Sequence, residues 1–291
     1  KHPDDLLLGH IDELVRRSLQ HGYNLFAVLR AACLQPVQHY NMHVGTLRKG
    51  DFADFIVVNN LEEFKVSSTF INGEEVVKEG QCILNNQEHP HLNNFSIGRV
   101  KAHAFRIPYE GFNAPVIQAI DGELITEKLP FRYANTNGFI ESDLSNDILK
   151  IVVVNRYQEA PPAVGFIQNF QIKAGALAST VAHDSHNIIC VGTSDEYIAQ
   201  AVNLLVDSKG GLAAVGPEET QYIPLPIAGL MSDQPAQKIG EAYAKIDALA
   251  RSMGCGLRAP YMTLSFMALL VIPKIKLSDQ GMFDAEAFEF Y

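Results

Sequence analysis

The sequence predicts a mixed α/β fold, and three observations predict it. A helical pattern fills the first 44 residues, β-rich runs with turn signals occupy residues 51–80, and strand and helix patterns mix from about residue 100. The chain has 291 residues, of which 47% are hydrophobic and 19% charged, so it carries ample material for a buried core. Its length suits one large domain or two to three ordinary ones.

The first segment predicts two or three helices. The stretch HIDELVRRSLQHG places residues 11, 14, 15 and 19 on one apolar stripe, and Gly22 suits the helix end. Asn24 can cap the next helix, and Pro36 ends that helix or begins a short third one. The chain begins KHPDDLLL without an initiator Met and enters the helical pattern almost at once, so we expect a start inside a longer protein.

A small β unit is predicted for residues 51–80. Residues 55–58 are β-rich, and the runs VSSTFI and EEVVK flank the dipeptide Asn72-Gly73. That dipeptide indicates a type I′ hairpin, because both central residues need a positive φ. The Asn-rich residues 81–100 are predicted to be a connector and a domain boundary. Within them HPH at 89–91 could suggest a metal, but no carboxylate pattern accompanies it.

Strands and helices mix in the remainder of the chain. Eight segments predict strands: AHAFRI, PVIQAI, GELITEKL, ILKIVVVN, AVGFIQNF, GALASTVA, NIICVG and GLAAVG. One helix follows Ser194 as N-cap and stops near Gly210, and a second follows Ser232 or Asp233 with Pro235 near its first turn. The order NIICVG, helix, GLAAVG resembles a βαβ unit.

Composition argues against several classes of function. A formal net charge of −10 argues against a nucleic acid as main partner, because an acidic chain repels phosphate backbones. No apolar run reaches the roughly 18 to 20 residues of a membrane span, so no membrane partner is expected. The cysteines are scattered without a CxxC pair, which favours a reducing cytoplasm over a disulfide framework or a Cys-rich zinc site. They are Cys33, Cys82, Cys190 and Cys255.

The candidate site is the run HDSHN between two apolar strands. Its members are His183, Asp184, Ser185, His186 and Asn187. A metal site would use both histidines and the aspartate, but no second cluster obviously completes the shell. A catalytic triad needs convergence in space, whereas neighbours in one run splay apart. A polar turn bonding its own backbone and a ligand site at a strand end both stay open.

Other motifs are interpreted structurally. The stretch KGGLAAVG lacks the GxGxxG and P-loop patterns, which argues against a phosphate cradle. The stretch LPIAGLMSD is interpreted as a chain reversal before a helix, and APYMTLSFMALLVIP as core. Asp4 and Asp5 suit the N-terminus of the first helix through capping and the helix dipole.

Long collinear segments carry a family resemblance over essentially the whole chain. They are KHPDDLLLGHIDELVRRSLQHGYN, VGTLRKGDFADFIVVNNLEEFKV, FINGEEV, TVAHDSHNIICVGTSDEYIAQAVN, YIPLPIAGLMSD and APYMTLSFMALLVIPKIKLSDQGMFD. Together they resemble the bacterial adenine deaminase family of the amidohydrolase superfamily. The resemblance implies that residues 1–44 are the last helices of a (β/α)8 barrel and that 45–95 are part of a small β-sandwich with a connector. Residues 96–291 would be the family's C-terminal α/β domain with a mixed sheet.

The resemblance also implies a reaction, the hydrolytic deamination of adenine to hypoxanthine and ammonia. In it a metal-bound water would attack C6 of the purine, and a carboxylate would move protons to the leaving amine. The family's metal-binding motifs are absent from this sequence. A binuclear divalent metal site (Mn or Fe) is therefore expected in the barrel part before Lys1. No metal is expected in this chain alone, and the chain alone is expected to be inactive.

Within that family HDSHN would be a lid element that covers the barrel mouth, contacting the purine or excluding water. The implied setting is cytoplasmic purine salvage, with adenine as substrate and a homo-oligomer or packing on the barrel domain as further partners. Two alternatives stay open: a non-catalytic oligomerisation or regulatory module, and another amidohydrolase acting on a cyclic amidine or amide.

Overall fold

The computed structural model describes residues 2–85 and 90–291, which fall into two compact units. The first comprises the described residues up to 85 with Pro235–Gly240, and the second comprises 90–234 and 241–291. The three-part division predicted from the sequence stays a prediction. No helix in the described ranges is long and apolar enough to cross a membrane.

The first unit holds short helices followed by a four-stranded antiparallel sheet. After a 3-10 turn its helices are α1 (Ile11–Gln20), α2 (Leu25–Leu29) and α3 (Gln35–His39), with a π-helical turn between the last two. The strands, which pair in chain order, are β1 (Phe55–Val58), β2 (Val66–Ile71), β3 (Glu74–Lys78) and β4 (Gln81–Cys82). Asn24 caps α2 as predicted, because its side chain accepts a hydrogen bond from the backbone N–H of Ala27.

The predicted hairpin in this unit is confirmed. Asn72 and Gly73 both have positive φ, at 53° and 82°, and Ile71 pairs with Glu74 across them. Few large apolar side chains of the unit are buried, whereas Leu8 and Phe26 are about three-quarters exposed. The unit therefore carries a good deal of apolar surface.

The second unit is built on an eight-stranded mixed sheet. The chain-order strands of the sheet are β6 (Val116–Ala119), β7 (Thr126–Leu129), β9 (Leu149–Val154), β10 (Ala163–Gln168), β11 (Ala176–Ser179), β12 (Ile188–Gly192), β13 (Gly211–Val215) and β14 (Thr220–Pro224). Their spatial order is β14-β13-β11-β12-β9-β10-β6-β7, and of these pairs only β10 with β6 is parallel. The α/β fold class with a mixed sheet is confirmed.

Smaller elements complete this unit. They are a two-stranded pair of β5 (Ile107–Pro108) and β8 (Phe139–Ile140), and a three-stranded sheet of β15 (Ile275–Ser278), β16 (Gly281–Asp284) and β17 (Glu289–Phe290). The helices are α4 (Asp195–Asp207), α6 (Pro260–Phe266) and, from Glu241 onwards, α5 (Ala236–Ser252). The Ser194 cap of α4 is confirmed, since its side chain accepts from the N–H of Tyr197. The strand–helix–strand order β12-α4-β13 is also present, with β11 lying between the two strands.

One predicted strand is wrong. The segment AHAFRI begins as a 3-10 helix at Ala102–Phe105, and only Ile107–Pro108 pairs as a strand. The backbone of this turn is bonded locally, from the N–H of Ala104 to the carbonyl of Lys101. Phe105 is fully buried in the core under α4, so burial of one aromatic side chain, and not the alternating pattern of a strand, explains the apolar residues.

The core of the second unit lies between α4 and the sheet. Ile198, Val202 and Leu205 pack against strand residues that include Val152 and Cys190. Every residue of β9, β11, β12 and β13 is buried. The central strands are therefore fixed in place, and the loops at their ends start from a rigid base.

A buried ion pair ties the sheet to α4 and supplies a first test. Lys150 Nζ lies 2.5 Å from Asp195 Oδ1, with side chains only 3% and 14% exposed. Asp195→Asn leaves the buried ammonium without a counter-charge, so we expect it to lower the free energy of unfolding by about 3 kcal/mol. Urea denaturation measures this loss. The matched control is Asp207→Asn at the other end of α4, whose pair with Arg99 is mostly exposed and should contribute little. Equal effects of the two variants would contradict the expectation.

Candidate functional site

The run HDSHN lies in the loop that joins β11 to β12 in an antiparallel hairpin. Ser179 pairs with Ile189 at the mouth of this loop, and on its other side Ile188 of β12 pairs with Val154 of β9. The apolar strands are predicted by their sequence, and the polar run begins where they end. The end of β9 therefore lies beside the loop, a neighbour that the linear sequence does not show.

The five polar side chains do not converge on one point. Asn187 is buried, whereas Asp184 and Ser185 are exposed. The rings of His183 and His186 lie edge to face with 5.5 Å between their centroids. His183 also packs on Phe266 of α6 at 4.8 Å. An in-line catalytic triad is therefore not formed, as the spacing of the run predicts.

The HDSHN loop is held by hydrogen bonds from several directions. Within it, His186 N–H donates to the carbonyl of Ala182 over 2.7 Å, and Asn187 Nδ2 donates to Ser185 Oγ over 3.2 Å. The N–H of His183 donates to the carbonyl of Ser265 in α6 over 3.0 Å. The bonds within the run are local, as in a polar turn, whereas the bond to Ser265 ties the loop to α6.

Three residues after β9, which sequence reasoning did not single out, complete this anchoring. Asn155, Arg156 and Tyr157 directly follow the last residue of the strand. The Tyr157 hydroxyl donates to the carbonyl of Ser185 over 2.6 Å, and the N–H of Arg156 donates to Asn187 Oδ1 over 3.2 Å. The available signal was the same as for HDSHN, a polar run directly after a buried apolar strand.

A surface depression with a volume of about 330 Å³ adjoins the HDSHN loop. Asp184 and Ser185 line one side, Asp279 lies on another, and Leu270 and Phe290 supply apolar surface. Asn155 Nδ2 donates to Asp279 Oδ2 over 2.8 Å, so the segment after β9 positions both walls. The depression offers carboxylate and hydroxyl groups beside an aromatic ring, a combination able to hold a small polar aromatic molecule.

The two motifs interpreted as a chain reversal and as core also lie against this loop. The reversal is seen as a bridge between Ile227 and Met231, and the carbonyl of Ala228 accepts a bond from Arg156 Nη2 over 2.7 Å. Ser265 and Phe266, from the stretch MTLSF, are the residues that touch His183. Segments far apart in sequence thus surround HDSHN.

The surroundings of His186 favour the uncharged form of its ring. Burial lowers its pKa below the ordinary value of 6.5, the charges of His183 and Arg156 lower it further, and Asp184 opposes them. Its Nδ1 atom is buried without a hydrogen-bond partner among the residues the structure describes. In the neutral ring, Nδ1 can either accept or donate one hydrogen bond, depending on which ring nitrogen carries the proton.

The metal interpretation finds no support in the geometry. Across residues 2–85 and 90–291, no group of three or more His, Cys, Asp or Glu side chains is placed to hold a metal ion. Of the HPH motif, His89 lies outside the described residues. His91 Nε2 lies 2.8 Å from Asp233 Oδ2, and this bond holds the pKa of the Asp233 carboxyl below its usual range.

Comparison with known proteins identifies the family. A family profile described as the adenine deaminase C-terminal domain matches residues 123–289, more than half of the chain. The chain belongs to the adenine deaminase C-terminal domain family. A second profile, described as the amidohydrolase family, matches residues 5–76. The resemblance predicted from the sequence is confirmed, and HDSHN with the segments 155–157, 227–231 and 265–279 falls inside the adenine deaminase C-terminal domain match.

Relatives named adenine deaminase extend the similarity along the whole chain. The chain is 47% identical to the adenine deaminase of Salinibacter ruber over 100% of its own length and 53% of the relative's. It is 47% identical to the adenine deaminase of Sulfurovum sp. over 100% of its own length and 53% of the relative's. It is 44% identical to the adenine deaminase of Methanosarcina acetivorans over 99% of its own length and 54% of the relative's. The chain thus spans about half the length of the curated relatives it matches.

The anchoring of the HDSHN loop by Tyr157 can be tested by removing one hydroxyl. Tyr157→Phe deletes the donor to Ser185 and an acceptor for Arg156 Nη2. We expect a loss of about 1 kcal/mol in the free energy of unfolding and faster amide exchange at residues 185–187. Tyr222→Phe, at a half-exposed edge-strand residue, is the control and should change neither. Unchanged exchange in Tyr157→Phe would show that the hydroxyl does not hold the loop.

The lowered pKa of His186 predicts a pH dependence of stability. Because the unfolded chain binds this proton more readily than the folded chain, the contribution of His186 is fully present above its ordinary pKa of 6.5 and is lost as pH falls below it. His186→Gln should therefore flatten the fall in unfolding free energy as pH decreases below 6.5. Chemical denaturation of both chains across that range measures the difference. The prediction is wrong if the unfolding free energies of the original chain and of His186→Gln fall in parallel with decreasing pH.

Proposed function

We propose that this chain is part of an adenine deaminase that hydrolyses adenine to hypoxanthine and ammonia, and that the HDSHN loop lies at the mouth of its active site. The similarity to relatives named adenine deaminase, over nearly the full length of this chain, supports the reaction. The observation that carries the proposal is the loop's geometry, a rigidly anchored polar run that presents exposed side chains at the end of a buried sheet.

The loop's residues suit recognition of a purine. Asp184 is exposed and can accept hydrogen bonds from an amino group or a ring N–H. His186 is half-buried, and its neutral ring can share a hydrogen bond with a purine nitrogen or with water through the ring nitrogen that is not buried. The backbone bonds of His183, Ser185 and His186 hold these groups in place before a substrate arrives, which lowers the entropic cost of binding.

The divalent metal ions that the amidohydrolase family generally uses do not fit the described residues of this chain, because these group no ligand set. We therefore propose that a binuclear Mn or Fe site belongs to the part of such an enzyme that this chain does not span. The role of HDSHN is confined to binding, orienting and excluding water. No metal ion takes part in these three roles of the loop.

The proposed partners follow from the same assignment. The exposed apolar side chains of the first unit, which include Leu8, Phe26 and Leu47, favour packing against a barrel domain or a second copy of the protein. The proposed setting is purine salvage in the cytoplasm, with adenine as the substrate. The scattered cysteines and the acidic composition favour this setting.

The proposal is tested by substitutions in the gene product that contains this chain. His186→Ala and Asp184→Asn should each lower kcat/KM for adenine by about tenfold or more, since both side chains contact or orient the purine. Asp207→Asn, on the exposed end of α4, is the control and should leave kcat/KM unchanged. Normal folding of both loop variants with unchanged kcat/KM would remove HDSHN from the active site. Turnover of guanine or cytosine in place of adenine would instead favour another amidohydrolase.

A further inference from the structure

Arg156 is a buried cation without a carboxylate partner. Only 3% of the residue is exposed, and no Asp or Glu oxygen lies within 4 Å of its guanidinium in the part of the chain that the structure describes. Its Nη atoms bond to neutral acceptors instead: the Ala228 carbonyl at 2.7 Å, the Tyr157 hydroxyl at 3.1 Å and Asn93 Oδ1 at 3.4 Å. Burying a charge is costly unless it is paired and hydrogen-bonded, so the contacts of this guanidinium must offset the loss of its hydration.

Aromatic rings replace the missing counter-charge. The guanidinium carbon lies 4.9 Å from the centroid of the Tyr157 ring and 5.7 Å from that of Phe95. Both distances lie in the range of a cation–π contact, which is worth most where water is excluded. A planar guanidinium can stack in this position and donate from its edge at the same time, whereas a lysine ammonium cannot.

The same guanidinium joins three segments that are distant in sequence. Through Asn93 it reaches the predicted connector, through Ala228 it reaches the chain reversal, and through Tyr157 it reaches Ser185. Gly229 makes room for it, because a Cβ there would lie 2.0 Å from Arg156 Nη1. The backbone of Arg156 adds further links, since its N–H donates to Asn187 Oδ1 and its carbonyl accepts from the N–H of Ser96.

We propose that Arg156 is the positioning residue of the HDSHN loop, which it holds in the geometry that presents Asp184 and His186 to the substrate. The side chain fixes the Tyr157 hydroxyl that holds Ser185, and the backbone fixes Asn187, so the middle and the last residue of the loop's polar run are tied to one residue. This inference rests on the proposed function of the loop. Arg156 itself is not assigned contact with the substrate.

A second effect of Arg156 is electrostatic. Burial and the charge of His183 lower the pKa of His186, the charge of Arg156 lowers it further, and Asp184 raises it. The His183 ring packs against His186, and the Phe266 ring packs against His183. Of these two neighbouring rings only that of His183 can carry a charge. Removing the positive charge while keeping a polar side chain should therefore shift the His186 titration upwards, which a purely mechanical role would not do.

The test compares Arg156→Gln, which removes the charge, with Arg156→Lys, which keeps it without the planar fork. In the 291-residue chain, NMR of isotope-labelled histidine rings should show the His186 titration moving to higher pH in Arg156→Gln and staying near its original position in Arg156→Lys. Amide exchange at residues 185–187 should accelerate in both. In the gene product containing the chain, both variants should lower kcat/KM for adenine by about ten- to a hundredfold, mainly through kcat.

Controls separate this inference from the proposed function. Arg258→Lys, at an exposed pair with Asp121, should leave every readout unchanged. If Arg156→Gln does not fold, Arg156→Lys and Tyr157→Phe still report loop exchange and turnover. The inference is wrong if His186→Ala lowers kcat/KM but the Arg156 variants change neither turnover nor exchange at 185–187. If the Arg156 variants loosen the loop while His186→Ala leaves turnover intact, the function proposed for HDSHN fails and the anchoring stands.

Discussion

The pairing of β12 with both β11 and β9 is the constraint on which the rest of the second unit depends. All three strands are buried, so their register is fixed by packing under α4 and cannot slip without exposing a whole apolar face. That register places Val154 opposite Ile188, and with them the two polar runs that follow β9 and precede β12. The order of the strands therefore creates the site, because the polar runs after β9 and before β12 could not meet in a different strand arrangement.

Much of the fold could be predicted because its signals are local. The Asn72-Gly73 hairpin, the Asn24 and Ser194 caps, and seven of the eight predicted strands after residue 100 each depend on a few adjacent residues. The segment AHAFRI misled because a short apolar run fits a buried turn as well as a strand. The position of β11 between β12 and β13 depends on long-range pairing, which periodicity does not encode.

One part of the candidate site, the HDSHN run, could be predicted because its signal is also local. HDSHN stood out as five polar residues between apolar strands, and the prediction that its neighbours would splay apart agrees with Asn187 turning inward while Asp184 and Ser185 face outward. Arg156 and Tyr157 could not be assigned from their own surroundings, because an arginine after a strand is ordinarily exposed. Only the folded chain brings Ala228, Tyr157 and Phe95 around one guanidinium.

Because Gly229 lies so close to Arg156, the residue types allowed at these two positions depend on each other. The glycine has a φ of +69°, a conformation that side chains rarely adopt, and the space its missing Cβ leaves is taken by the guanidinium. A larger residue at 229 would have to expel the arginine, and a smaller residue at 156 would leave a hole beside a strained turn. Anyone redesigning the HDSHN loop, or grafting it onto another sheet, would therefore have to transplant a glycine that lies 44 residues beyond Ser185 and meets the loop through a hydrogen bond from Thr180 Oγ1 to its carbonyl.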